Sequence, residues 1–168
     1  MGLESQPTFL NDMASKITFK LEHATIGDLQ QMGEMEKACF PLDAWPLLEQ
    51  IAALILPGLV RIKAVCEGRM VGFTGGEVKR TQRVGWITTL AVLPEFRRQG
   101  IAEALLRACE QEMGMPYVKL SVRRSNIQAQ ALYLKWGYRQ KDIWVGYYEG
   151  GEDALVMEKR LLEFNNVE

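Results

Sequence analysis

The stretch LAVLPEFRRQGIAEALL, residues 90–106, decides how the rest of the chain is interpreted. Its first residues are apolar and end at Pro94, which is typical of a buried strand followed by a turn. The apolar residues that come next recur at the spacing of one helix face: Ile101, Leu105, Ala108 and Cys109. The stretch therefore predicts a strand, a turn that carries Arg97 and Arg98, and a helix that begins after Gly100.

A strand–turn–helix junction of this kind suits a phosphate group. The first backbone N–H groups of a helix have no partners inside the helix, and the helix dipole is positive at that end. Gly100 lets a ligand approach the backbone, and Arg97 and Arg98 add positive charge. The sequence has neither the G-x-G-x-x-G motif nor the P-loop motif of nucleotide enzymes. On this segment alone, a phosphate-binding turn and an ordinary turn with solvated arginines both stay open.

The segments on either side of the junction alternate between strand and helix patterns. Those before it are a strand at 17–22, helices at about 25–39 and 43–56, and two strands within 60–78 that join at a 67–69 turn. The strand of the junction spans 85–92, and a strand at 117–122 follows the helix. The last segments are a helix at 125–136 with a Ser125–Gln128 capping box, and strands at 142–148 and 154–161. This order predicts a flexible tail over residues 1–16 and one mixed α/β domain over residues 17–168.

Composition and charge argue against several classes of protein. The chain has 168 residues, of which 48% are hydrophobic and 24% charged, as in an ordinary folded domain. Its 20 Lys and Arg residues against 21 Asp and Glu residues lack the basic excess of a general nucleic-acid binder. A single histidine, His23, and three scattered cysteines argue against a zinc site and against a Ser-His or Cys-His nucleophile. We therefore expect no metal and no nucleic-acid partner.

The sequence also suggests where the protein works. Residues 1–16 have no apolar core and carry acidic residues early, unlike a secretory signal. The most apolar stretch, residues 51–60, is half of the ~20 residues needed to span a bilayer, and it contains Pro57. We expect a cytoplasmic protein, monomer or homodimer, without a membrane partner.

Two segments resemble the signatures of one family. RRQGIA, residues 97–102, resembles the Q/R-x-x-G-x-G/A signature of the GNAT superfamily of acyl-CoA-dependent N-acyltransferases. SNIQAQALYLKWGY, residues 125–138, is similar to the family's second signature, N-x-x-A-x-x-L-Y-x-x-x-G-F/Y. That signature is matched at Asn126, Ala129, Leu132, Tyr133, Gly137 and Tyr138. Both occur in order at strand–helix junctions, so the resemblance covers residues 17–161. Within the family, VRRSN and the ending GYYEGGEDALVMEKRL are most similar to the ribosomal-protein alanine N-acetyltransferase (RimI) type.

The resemblance implies a fold and an activity. The fold is α/β (α+β), with a mixed, mostly antiparallel central sheet that is splayed at strands 4 and 5 and has helices on both faces. The implied reaction moves an acetyl group from acetyl-CoA to an amine by direct attack on the thioester, which needs no protein nucleophile. The acceptor we expect is a peptide or protein N-terminal α-amine. The alternatives are a small-molecule amine and an acyl-CoA-binding sensor or regulatory domain with little catalysis.

The resemblance also implies roles for individual residues. Backbone groups of Leu90, Ala91 and Val92 would meet the pantetheine arm and the thioester carbonyl. The pyrophosphate would be wrapped by Arg97, Arg98, Gln99, Gly100, Ile101 and Ala102. Asn126 would contact the cofactor arm, unless it only caps a helix. Tyr133 would protonate the leaving thiolate, unless it is a core tyrosine with a satisfied hydroxyl.

The sequence departs from the RimI type at the general base. Ser121 occupies the position at which that type has a glutamate, and a serine hydroxyl orients water but does not usefully accept a proton at neutral pH. Glu77, in the third strand, is a candidate substitute base, or else a solvated strand carboxylate. Thr88 and Thr89 are candidates to hold a water, or else they are there only for their β propensity. The candidate catalytic residues are therefore Tyr133, Ser121 and Glu77, and the identity of the base stays open.

Overall fold

A single seven-stranded sheet is the centre of the fold in the described residues. The computed structural model describes residues 17–161, and the predicted tail of residues 1–16 lies outside the described residues. The strands within 17–161 are β1 (Lys20–His23), β2 (Leu59–Cys66), β3 (Arg69–Lys79), β4 (Val84–Val92), β5 (Tyr117–Arg123), β6 (Arg139–Trp144) and β7 (Ala154–Arg160). They form one sheet in the order β1-β2-β3-β4-β5-β7-β6. Neighbouring strands are antiparallel except β4 and β5, which are parallel.

Four α-helices accompany the sheet in the described residues: α1 (Leu29–Cys39), α2 (Leu47–Ile55), α3 (Ile101–Met113) and α4 (Ile127–Lys135). The longest, α3, has 13 residues. None of the helices between residues 17 and 161 combines the length and apolarity needed to cross a membrane.

The helices cover both faces of the sheet. Val71 of β3 joins the core under α3 and α4, whereas Met70 and Phe73 join the core under α1 and α2. Met70 and Phe73 share a face because Val71 is the extra residue of a β-bulge: Ala64 pairs with Gly72 and Val65 with Met70. The first core contains Leu105 and Tyr133 among its buried residues. The mixed α/β architecture with helices on both faces is therefore confirmed.

The parallel pair β4 and β5 separates partway along its length. The two strands pair from Val84 opposite Tyr117 to Ile87 opposite Leu120, and the pairing stops there. Residues 88–92 and 121–123 continue as strand beyond the last pair; we call the space between them the β4–β5 gap. The splay between strands 4 and 5 is confirmed, and it leaves backbone groups on the facing edges without a partner across the gap.

Glycines let α3 pack directly on β3 and β4. A Cβ atom at Gly72 would lie 2.9 Å from Leu105 Cδ1, and one at Gly85 would lie 2.6 Å from Met113 Sδ. Larger residues at these positions would push the helix away from the sheet. The close packing places the N-terminus of α3 beside the end of β4.

Several predicted boundaries differ from the structure by a few residues: the first strand is Lys20–His23 and not 17–22, and the strand predicted to begin at Asp142 begins at Arg139. Three further differences bear on the site. The predicted Ser125–Gln128 capping box is wrong, because the N–H of Ser125 donates to Glu152 Oε1 at 2.7 Å and Asn126 caps the helix instead. The second helix begins at Leu47 and not near Asp43, because Pro46 sets the N-terminus and Asp43 is bound by Arg123.

The third difference concerns residues 142–148, which were predicted as a strand. The strand is β6 and ends at Trp144, whose partner Ala154 is the first residue of β7. Residues 145–153 form a loop in which the N–H of Gly146, at φ 63°, donates to Asp153 Oδ1 at 3.0 Å. We call this segment the β6–β7 loop.

Candidate active site

The turn between β4 and α3, residues 97–102, has a backbone suited to an anion. Arg97 is extended, whereas Arg98 and Gly100 are left-handed with φ values of 64° and 83°. A positive φ is uncommon for a residue other than glycine. The N–H of Ala104 donates to the carbonyl of Gly100 at 3.1 Å, which is the first hydrogen bond of the helix. The N–H groups of Ile101 and Ala102 come before it and have no partner inside the helix. Such N–H groups at a helix N-terminus are available to a phosphate.

The two arginines of this turn behave differently. Arg97 Nε donates to the carbonyl of Val92 at 3.1 Å, so its side chain ties the turn to the end of β4. Arg98 is exposed. The structure thus brings Leu90, Ala91 and Val92, which line the β4–β5 gap, next to the turn.

Tyr133 of α4 is buried in the core, with 7% of its surface exposed. Its ring makes an edge-to-face contact with Tyr138, with centroids 5.7 Å apart. Its hydroxyl makes no hydrogen bond among residues 17–161, and it is not one of the fully enclosed polar atoms of this part of the chain, so it is open to a ligand or to water. Burial raises the pKa of Tyr133, so the hydroxyl keeps its proton at neutral pH.

A buried polar cluster holds the end of α4 in place. Tyr138 O–H donates to Glu110 Oε1 at 2.7 Å, and Lys159 Nζ donates to Glu110 Oε2 at 2.8 Å. Burial and the nearby Glu110 carboxylate raise the pKa of Tyr138, so it remains a donor. The N–H of Tyr138 also bonds to the carbonyl of Tyr133 at 3.0 Å. This cluster joins α3, β7 and the residues after α4, and so fixes where Tyr133 lies.

Ser121 lies in β5 beyond its last pair with β4. Its Oγ accepts a hydrogen bond from Tyr148 O–H at 3.4 Å. Burial raises the pKa of Tyr148, so this hydroxyl is also protonated at neutral pH. Sequence reasoning missed Tyr148, because residues 142–148 were predicted as a strand; the signal was the GYY run before the Gly150-Gly151 turn.

Glu77 lies on the other side of β4 from Ser121. It is exposed, its carboxylate is 3.8 Å from Lys79 Nζ, and it lines a cleft of about 270 Å³ beside Thr88. Thr88 is the extra residue of a β-bulge, because Gly75 pairs with Thr89 and Gly76 with Ile87. The two base candidates therefore lie on different strands, Glu77 on β3 and Ser121 on β5, with β4 between them. The cleft lies on the α2 side of the sheet and reaches β4 at Thr88.

Asn126 caps α4, which was the alternative to a contact with the cofactor arm. Its Oδ1 accepts the N–H of Ala129 at 3.1 Å, and its side chain is exposed. A contact between Asn126 and the cofactor arm stays a prediction.

Comparison with known proteins connects these features to a family. Residues 29–138 match the model of the Acetyltransferase (GNAT) family. An N-alpha-acetyltransferase of Saccharolobus solfataricus is 31% identical over 157 residues, which cover 85% of this chain and 93% of that protein.

Solved structures share the fold. The ribosomal-protein-S18-alanine N-acetyltransferase of Escherichia coli has a TM-score of 0.78 at 24% identity, covering 90% of this chain and 99% of that one. Arabidopsis thaliana NAA60 in complex with acetyl-CoA has a TM-score of 0.76 at 20% identity, covering 86% and 100%.

The turn at residues 97–102 can be tested at Gly100. We expect Gly100→Val to weaken CoA binding at least ~10-fold, or ~1.4 kcal/mol, because the side chain blocks backbone approach. Gly100→Asn separates this effect from backbone strain, since Asn tolerates a positive φ but still carries a side chain. Calorimetry with CoA measures both variants. Unchanged CoA affinity in both folded variants would remove the phosphate role of the turn.

Proposed function

Because this chain belongs to the acetyltransferase (GNAT) family and is an N-acetyltransferase, we propose that it acetylates the N-terminal α-amine of a peptide or protein, with acetyl-CoA as the donor. The single observation that carries the proposal is the β4–β5 gap, which opens beside a helix N-terminus suited to phosphate. The similarity to the Saccharolobus solfataricus protein covers nearly the whole length of that protein, which is an N-alpha-acetyltransferase. This similarity supports the α-amine as acceptor.

The residues present fit acetyl-CoA. Strand edges in the gap offer backbone groups at Leu90–Val92 to the pantetheine arm, and residues 97–102 offer N–H groups and positive charge to the pyrophosphate. Tyr133 is a buried residue whose hydroxyl makes no hydrogen bond among residues 17–161, so this O–H is free to donate to the cofactor. Bound acetyl-CoA supplies an activated thioester carbonyl for attack by the amine.

Two groups of the chain support the attack. A backbone N–H near Leu90 stabilises the negative charge that develops on the carbonyl oxygen. Tyr133 would give its proton to the sulfur as the C–S bond breaks. The proton that the nitrogen loses after its attack would return to the Tyr133 hydroxyl through water, so the products are the amide and the CoA thiol. Burial raises the pKa of Tyr133, but the same desolvation disfavours a thiolate beside it, so burial alone does not oppose the transfer.

The acceptor amine must be neutral to attack, so the remaining question is which group removes the proton of the ammonium form. Ser121 orients a water or the amine without taking a proton, and Tyr148 beside it holds its own proton. Glu77 is exposed on the far side of β4. An acceptor that is already partly neutral in water fits this site best, which favours an α-amine over a lysine side chain.

Tyr133→Phe tests the acid. The variant keeps the ring and removes only the hydroxyl, so we expect kcat to fall roughly 10²-fold with little change in CoA affinity. Tyr117→Phe, at an exposed tyrosine at the opposite end of β5, is the matched control. Steady-state kinetics and CoA calorimetry give both quantities. Full activity in Tyr133→Phe would mean that another group protonates the sulfur.

The choice of acceptor tests the proposed function. An α-amine with a pKa of ~7.7–8.0 is roughly 10–15% neutral at pH 7, whereas a lysine near 10.4 is ~0.04% neutral. Without a strong base we expect kcat/KM for a free-N-terminus peptide to exceed, by about 10²-fold or more, that of the same peptide with a blocked N-terminus and an internal lysine.

The proposal also predicts the direction in which kcat/KM changes with pH. Because the neutral amine is the reactive form, kcat/KM for the α-amine peptide rises with pH and levels off near the pKa of that amine. A better rate with the lysine peptide at pH 7 would contradict the proposal and assign a base, Glu77 or an ordered water. Turnover of small amines but of neither peptide would point to a small-molecule acceptor.

A further inference from the structure

The cleft of about 270 Å³ beside Thr88 lies between α2 and strands β2, β3 and β4. We call it the α2 cleft. Thr88 is exposed, and it is also the first residue of β4 beyond the last pair with β5. The α2 cleft therefore meets the β4–β5 gap where the gap begins to open. A peptide whose amine reaches the gap brings its first side chains to this cleft.

Small residues leave the space of the α2 cleft open. Ala52 and Ala53 line it from α2, and Gly75 lines it from β3. A Cβ atom at Gly75 would lie 3.1 Å from Thr88 Oγ1 and 3.6 Å from Phe73 Cε1, so a side chain there would take up part of the cleft. Pockets for whole small molecules usually measure ~300–1,000 Å³, so this smaller space suits a single long side chain.

Trp45, the residue before Pro46 and α2, forms one wall of the cleft. Its N–H donates to Glu36 Oε2 at 3.2 Å, and its carbonyl accepts from Gln50 Nε2 at 2.7 Å. Glu36 and Gln50 are both buried, with 2% and 7% of their surfaces exposed. Contacts from α1 and α2 thus hold the backbone of Trp45, and this wall is formed before a ligand binds.

The charged residues among those that line the α2 cleft are both acidic. They are Glu49 on α2 and Glu77 on β3, and both are exposed. Glu77 lies 3.8 Å from Lys79 Nζ, but 48% and 40% of these two side chains are exposed, so water screens the pair. The mouth of the cleft therefore favours a positive group.

An arginine side chain matches this lining. Its aliphatic stem packs on small residues such as Ala52 and Gly75, while its guanidinium stays at the mouth in contact with water. Guanidinium groups bind carboxylates and stack on aromatic rings, and the lining supplies Glu49, Glu77 and Trp45. An acidic side chain in the same place would meet like charges.

We propose that the α2 cleft is a specificity pocket for an arginine at the first or second position of the acceptor peptide. The inference rests on the proposed function, since it needs a peptide amine at the β4–β5 gap. It also gives Glu77 a role, in which its carboxylate attracts the charge of the substrate and removes no proton from the amine. In an extended chain the second residue lies only ~4 Å beyond the first, whereas the fifth lies ~14 Å beyond it.

Peptides that differ at one position test the pocket. Citrulline is the neutral counterpart of arginine, so each pair of peptides carries arginine or citrulline at position 1, 2 or 5. We expect arginine at position 1 or 2 to raise kcat/KM about 10-fold over citrulline, and to raise the affinity for the CoA-loaded enzyme by a similar factor. At position 5 we expect the two peptides to agree within about 2-fold.

Two variants separate the charge of the pocket from its shape. Glu49→Gln removes one carboxylate, so we expect the arginine preference to fall to about 3-fold while the citrulline peptide changes by less than about 2-fold. Ala52→Leu keeps a good helix former and fills the cleft, so it lowers kcat/KM for both long side chains but not for alanine at the same position. Glu112→Gln is the matched control, because it removes an exposed carboxylate in the separate cleft of His23. Unchanged CoA affinity and Tm establish that each variant is folded.

Two results with the wild type overturn the proposal: equal use of arginine and citrulline at positions 1 and 2, and an equal arginine preference at position 5, which assigns the effect to overall charge. An arginine preference that Glu49→Gln leaves unchanged also overturns it. Calorimetry with the CoA-loaded enzyme needs no turnover. Arginine-selective binding without acetylation of any α-amine would therefore contradict the proposed function and still support the pocket.

Discussion

The parallel pairing of β4 and β5 stops at Ile87 and Leu120, and the rest of the site depends on this interruption. In a continuous sheet, backbone groups of both strands would be consumed by the ladder. Here the facing edges of residues 88–92 and 121–123 are separated, which creates room for an extended ligand between them. The residues proposed to act lie on the elements that follow or form the borders of the gap: the turn at residues 97–102 where β4 ends, Ser121 on β5, and Tyr133 on the helix that follows β5.

Close packing on one face holds these borders in place. The absence of side chains at Gly72 and Gly85 seats α3 on β3 and β4 and brings its N-terminus to the end of β4. The buried Glu110 carboxylate then joins α3 to Lys159 of β7 and to Tyr138. Breaking such a buried charged cluster leaves an uncompensated charge, so it resists rearrangement. The proposed cofactor side of the site is consequently built on a helix and strands, whereas Ser121 and Arg123 at the other border contact the loops of residues 40–46 and 145–153.

This division explains what the sequence could predict. Local patterns carry the cofactor side: the turn needs a glycine at positive φ, and the helix after it shows its period in Ile101 and Leu105. The family resemblance added Tyr133 and the splay of strands 4 and 5. The contact of Arg123 with Asp43 joins residues 80 positions apart, and no local pattern encodes it. Likewise, the sequence pattern predicts Ser125 as a helix cap. In the structure the N–H of Ser125 donates to Glu152, which lies in a loop distant in sequence.

In the proposed mechanism acetyl-CoA lies in the β4–β5 gap, and amide hydrogen exchange by NMR with and without acetyl-CoA tests this directly. Exchange reports protection of individual N–H groups by a ligand or by reduced opening. We expect slower exchange at residues 88–92 and 98–102, with β1 and the cleft around His23 and Glu112 unaffected. Unchanged exchange at residues 88–92 and 98–102, or protection centred on the cleft around His23, would contradict it.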